Sequence, residues 1–139
     1  RREEAMVLAR QLHEAGMLTS PIYWSYFIGV MFLCGDYGAV LNAFPHFSSG
    51  YPGVEAWYVA ALAHTGDLEG ARKILSAMES YLVSRWTGTE EPTREEVARW
   101  LGQCFPLADR EGWERLREGL ALAGMNFPPF SLRGSLIAN

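Results

Sequence analysis

Histidine side chains are the first candidates for catalysis or metal binding in this sequence. The three histidines, His13, His46 and His64, lie in separate segments, and no two of them have the spacing of zinc ligands. The sequence also lacks a GxSxG nucleophile elbow, an HExxH pair and a P-loop. His64 precedes the predicted end of a helix, where an imidazole favours the helix dipole. We therefore expect a structural role for His64.

Paired glutamates and two cysteines are the remaining candidates for chemistry. The pairs Glu90-Glu91 and Glu95-Glu96 fall in a polar connection and at a predicted helix start, where carboxylates are usually solvated or favour the helix N-terminus. Cys34 and Cys104 lie far apart and form no CxxC motif, so the sequence predicts neither a zinc site nor a disulfide framework. We expect no catalytic residue, no metal site and no cofactor, and we do not expect an enzyme.

Aromatic residues are concentrated in a part of the chain that carries little charge. Eleven of the eighteen aromatic residues fall between Tyr23 and Tyr58, and residues 17–65 contain only Asp36 and Glu55 among the acidic and basic residues. A hydrophobic core explains much of this pattern. An exposed apolar surface, which usually marks an interaction site, is the alternative reading. The net charge of −4 provides no basic surface, so we do not expect a nucleic-acid partner.

The elements that must position these residues are helices joined by a repeated turn. Gly35-Asp36 interrupts an apolar stretch, and Gly66-Asp67 repeats the interruption 31 residues later. Glycine relieves the left-handed position after a helix, and aspartate caps the helix that follows. Apolar residues elsewhere recur at spacings of three and four, which is typical of helices. We predict seven helices, near 2–16, 21–34, 36–47, 53–65, 67–84, 93–104 and 109–123.

Around these turns the sequence resembles the tetratricopeptide repeat family. The second-helix motif of that family, Gly-Asp followed by a small and then a large apolar residue, matches a first set of positions, Gly66, Asp67, Leu68, Ala71 and Leu75. It also matches a second set, Gly35, Asp36, Tyr37, Val40 and Phe44. The opening helix has Ala5, Ala9 and Leu12 in the corresponding places. The resemblance implies an all-α, right-handed solenoid of antiparallel helix hairpins.

The resemblance also implies a function and a site. First helices of such repeats line a concave groove that accepts a peptide or a partner helix, so the leading hypothesis is a non-catalytic protein–protein interaction scaffold. The positions expected to bind the partner in this mostly apolar groove are Trp24, Ser25, Gly29, Phe32, Ala60 and His64. The lysine and arginine pair with which chaperone-tail binders of the family clamp a carboxylate is absent from these positions.

The second hypothesis is a soluble regulatory or dimerising domain of a larger membrane-associated protein. The bacterial rhomboid-type intramembrane proteases are an architectural analogy, because some of them carry helical-repeat domains; the sequence itself contains no protease residue. The chain does not begin with Met and carries no signal peptide, so we expect a cytoplasmic piece of a longer protein. Residues 17–35 are uncharged, but their strongly apolar part is short enough for a buried core helix.

We expect one helical-repeat domain over residues 1–124, and over residues 125–139 a proline-containing apolar tail or a linker to a further domain. The C-terminal helices are charged, whereas the N-terminal half has no comparable polar cap. We therefore expect a homodimer through the N-terminal half, or an upstream segment that covers it.

Overall fold

Seven α-helices form the regular structure of the described chain, and no strand is present there, as the sequence predicts for an all-α protein. The computed structural model describes residues 1–47, 51–105, 107 and 109–131. The helices are α1 (Arg2–Glu14), α2 (Pro21–Leu33), α3 (Tyr37–Ala43), α4 (Pro52–His64), α5 (Leu68–Ser84), α6 (Arg94–Gln103) and α7 (Arg110–Ala123). A single 3-10 turn, Phe44–His46, extends α3.

The two Gly-Asp turns have the same local geometry, which confirms the predicted helix stop and start. Gly35 and Gly66 adopt φ angles of +78° and +93°, where only glycine is free of strain. The carboxylate of Asp36 accepts the amide of Ala39 at 3.0 Å, and that of Asp67 accepts the amide of Gly70 at 2.9 Å. Each turn therefore ends one helix and caps the next.

Helix α4 lies at the centre of the molecule and packs against α2, α3, α5 and α7. It is buried on nearly all sides, and its buried residues are Val54, Ala56, Trp57, Val59, Ala60, Ala61, Leu62 and Ala63. A helix that is apolar all round belongs inside a protein. Residues 17–65, which carry little charge, therefore supply much of the core. The uncharged residues 17–35 contribute α2 to this core.

Helix α7 departs from the hairpin order that the sequence suggests. It packs mainly against α4 and also touches α5, whereas in the described chain it makes few contacts with α6, its neighbour in sequence. The N-terminus of α7 returns to the start of the chain, because Arg2 forms ion pairs with Asp109 at 2.6 Å and with Glu111 at 3.0 Å. The last helix thus lies across the earlier ones.

The segment after α7 packs against the helices as far as the structure describes it. Met125 and Phe127 are buried, and the indole nitrogen of Trp113 donates a hydrogen bond of 2.9 Å to the carbonyl of Pro128. Residues 125–131 therefore cover α6 and α7. The rest of the predicted tail, residues 132–139, lies outside the described residues.

Candidate functional site

The structure does not bring the six predicted partner-binding residues together in one site. Phe32 and Ala60 have no exposed surface. The Phe32 ring packs against Trp57 at 4.7 Å between centroids, and Ala60 lies beneath Gly119 of α7. These two side chains belong to the core and form no part of an open groove wall.

The His64 side chain contacts both α7 and α3. Its Nε2 lies 2.7 Å from the carbonyl oxygen of Arg115, and the imidazole is the donor because a carbonyl can only accept. The ring stacks on Tyr37 with centroids 4.8 Å apart and an angle of 9° between planes. His64 therefore ties α4 to two neighbouring helices. Because α7 contacts both Ala60 and His64, it occupies this part of the predicted groove.

Trp24 faces a different space, a cleft of about 380 Å³ between α1, α2 and α3. The His46 ring stacks on the indole at 4.6 Å, and His13 meets it edge-on at 5.3 Å. Arg10, on the rim, is ion-paired with Asp36. Both imidazoles already contact the Trp24 ring, which leaves little of the indole for a ligand to stack on.

Ser25 lines a second space, a groove between α2, α4 and α6, and Gly29 lies beside it. Gly29 itself does not line the groove, and a Cβ on Gly29 would lie in ordinary contact with Trp57, 3.6 Å from its indole nitrogen. The Ser25 hydroxyl donates to the carbonyl of Ile22 at 2.6 Å. Ser25 therefore contributes little polarity to the groove.

The groove encloses about 450 Å³ and has aromatic walls. Its floor contains the buried rings of Trp57 and Phe105, which meet edge to face with centroids 4.9 Å apart. Its rim contains Tyr51 and Trp100, which are 61% and 39% exposed. The other lining residues are Ser25, Pro52, Gly53, Val54, Cys104 and Leu107. None of the described residues that line the groove is acidic or basic.

Cys104 adds to the apolar character of the groove. Desolvation by the surrounding wall raises the pKa of the Cys104 thiol, although the residue as a whole is exposed. The thiol therefore remains protonated at neutral pH and behaves as a small apolar group. An uncharged, largely aromatic groove of this kind can bind apolar or aromatic side chains of a peptide.

Among the residues that line the groove, the sequence-based site includes only Ser25, and it misses the aromatic residues Tyr51, Trp57, Trp100 and Phe105. Helix α6 begins at a capping box, where the Thr93 amide donates to the Glu96 carboxylate at 2.8 Å. Val97, Ala98 and Leu101 form its buried face. A tryptophan outside that face is the signal that would have indicated a binding surface.

Acidic side chains are scarce in this part of the molecule, and Glu55 of α4 is the exception. It is half-buried, and burial raises the pKa of its carboxyl group. In the described chain its carboxylate has neither a hydrogen-bond partner nor an ion-pair partner. The charged form of Glu55 therefore has a desolvation cost in the folded protein.

Metal ligation has no support among the described residues, where no three histidine, cysteine or acidic side chains are grouped as a metal site. In the same residues, no helix combines the length and the apolarity that a membrane span requires. Comparison of the chain with protein-family models, with curated proteins and with solved structures found no match. The groove is therefore the feature of the molecule that indicates a function.

Proposed function

We propose that this chain is a non-catalytic protein–protein interaction module that binds an apolar segment of a partner protein in the groove between α2, α4 and α6. The observation that carries the proposal is the exposure of Tyr51 and Trp100 above a floor of buried aromatic rings. Aromatic residues of this kind dominate the energetics of protein interfaces. The walls of the groove, as far as the structure describes them, carry no charged residue, so its selectivity comes from shape and from apolar contact.

A tetratricopeptide-like scaffold agrees with the local structure. The turns at Gly35-Asp36 and Gly66-Asp67 share the left-handed glycine and the aspartate cap, and they lie 31 residues apart. In such a scaffold the first helices of successive repeats line one face. Ser25 on α2, Trp57 on α4 and Trp100 on α6 all face the groove, as this arrangement requires. Helix α7 covers the other end of this face, near Ala60 and His64.

Selection from a peptide-display library against the full chain tests the proposal. We expect enrichment of peptides with aromatic or large aliphatic anchors and weak salt dependence of their binding, because no charged side chain lines the groove. Trp100→Glu should weaken the selected peptides by at least about tenfold, since it removes an aromatic contact and places a charge at the rim.

Leu122→Glu is the matched control, because Leu122 is 46% exposed and lies on α7 outside the groove. This variant should bind the selected peptides as the unmodified chain does. Selected peptides that bind Trp100→Glu with unchanged affinity would place the interaction elsewhere and contradict the proposal.

A further inference from the structure

A second apolar surface, distinct from the groove, covers α1 and the beginning of α2. Most of the strongly exposed large apolar residues of the described chain fall in this region. We define the α1–α2 patch as Leu8, Leu12, Met17, Ile22, Tyr23 and Tyr26, which are 37–66% exposed. Helix α1 contains no buried residue at all. A surface of this composition usually marks an interface.

The two patch residues of α1, Leu8 and Leu12, lie on one side of that helix. Arg10 and Glu14 line the Trp24 cleft against α3, and they lie about half a turn away from Leu8 and Leu12. His13 packs on Trp24 and Phe27, which joins α1 to α2. Leu8 and Leu12 therefore face away from α3, and Met17 in the connection leads on to the exposed tyrosines of α2.

The exposed side of α1 carries a pattern suited to pairing with an identical helix. Ala5, Leu8, Leu12 and Ala15 are spaced by three, four and three residues, and all four are exposed. A seam with this spacing fits the same seam on a second helix, with each side chain between those of the partner. Residues 15–35, which include Met17, Ile22, Tyr23 and Tyr26, contain no acidic or basic side chain, so the part of a two-fold contact that they form brings no like charges together.

The size of the patch also fits a second copy. From their exposed fractions, its six residues present roughly 650 Å² of surface, so two copies would bury roughly 1,300 Å² in total. Stable interfaces begin at about 1,200 Å². We infer that the α1–α2 patch is the interface of a homodimer, with α1 of one copy against α1 of the other. This surface is separate from the groove and does not depend on the proposed peptide binding.

Sedimentation equilibrium of the full chain, from micromolar to near-millimolar concentration, tests the inference. We expect a reversible rise to twice the monomer mass, with a dissociation constant in the micromolar range because the interface is small. Leu12→Glu should raise that constant by at least about a hundredfold, because each dimer would bury two unpaired carboxylates. Leu122→Glu, at the exposed surface of α7, should dimerise as the unmodified chain does.

A protein that stays monomeric at the highest concentration would overturn the inference. An unchanged dissociation constant for Leu12→Glu, in a protein with an unchanged melting temperature, would also overturn it. Tyr26→Glu provides a second variant on α2 with the same expected loss of dimer. Peptide binding in the groove should survive Leu12→Glu, so failure of the dimer and failure of the proposed function are distinguishable.

Discussion

Gly119 of α7 crosses Ala60 of α4 so closely that a Cβ atom on Gly119 would lie 2.7 Å from the Cα atom of Ala60. Both residues are buried, and the crossing lies within the contact of the two helices. The absence of a side chain on Gly119 allows α7 to approach the backbone of the central helix. Helix α7 therefore covers α4 around Ala60, on a face that regular helical repeats would leave open.

Gly119→Ala should lower the free energy of unfolding. Alanine favours a helix over glycine by about 1 kcal/mol, but here the new methyl group meets backbone atoms that cannot turn aside. Overpacking of this kind typically costs about 1–3 kcal/mol, so we expect net destabilisation in urea unfolding.

Gly38→Ala is the control for that experiment. Gly38 is exposed on α3, and among the described residues its added Cβ would meet an Asp36 carboxylate oxygen at the ordinary contact distance of 3.8 Å. This substitution should be neutral or slightly stabilising. A Gly119→Ala protein as stable as Gly38→Ala would show that α7 does not approach α4 as described.

Ala71→Arg should destabilise the protein by about 3 kcal/mol or more. Ala71 has no exposed surface on α5, and an arginine there combines overpacking with a buried unpaired charge. Ala77→Arg is the matched control, because Ala77 is exposed on the same helix. Thermal unfolding measures both, and equal melting temperatures would contradict the assigned burial of Ala71.

Local chemistry made the helices and turns predictable from the sequence. A glycine in the left-handed region and an aspartate cap act over a few residues, so Gly35-Asp36 and Gly66-Asp67 indicate their turns without knowledge of the rest of the fold. The capping box at Thr93 is local in the same way. Helix bounds therefore agree with the structure to within a few residues.

The candidate site depends on contacts between distant parts of the chain and was only partly predictable. The sequence pattern places Ala60 and His64 on a first helix, but it does not reveal that α7 packs over them. The ion pair between Arg2 and Asp109 joins the start of α1 to the start of α7, two places that are far apart in the sequence. The repeat register predicts that Ser25 faces the concave side, and Ser25 is one of the residues that line the groove between α2, α4 and α6. The charged residues of α6 and α7 predict a polar cap, which gives no reason to expect Trp100 at a groove.

Glu55→Gln should stabilise the protein at neutral pH. Burial raises the pKa of the Glu55 carboxyl group, so folding favours its protonated form. The stability associated with that proton is fully present below the unfolded pKa of about 4.3, and it is lost as pH rises through the folded pKa. The advantage of the neutral glutamine should therefore be present at pH 7 and fade below about pH 4.

Urea unfolding at pH 7 and again below about pH 4 measures the difference in free energy of unfolding between Glu55→Gln and the unmodified chain. Glu69→Gln is the control, because Glu69 is an exposed acid in the first turn of α5, as Glu55 is an acid in the first turn of α4. It should not reproduce the stabilisation at pH 7. An effect of Glu55→Gln that is equal at both pH values would exclude desolvation of the carboxylate as its cause.

The most direct test of the groove is a nuclear magnetic resonance titration of the tryptophan indole N–H signals with a display-selected peptide. Four of the five tryptophans report on three places, with Trp57 and Trp100 in the groove, Trp24 in the histidine cleft and Trp113 bonded to Pro128. We predict that the signals of Trp57 and Trp100 shift in a saturable manner while those of Trp24 and Trp113 remain in place. Saturable shifts of Trp24 or Trp113, with Trp57 and Trp100 unmoved, would contradict the assignment of the groove as the binding site.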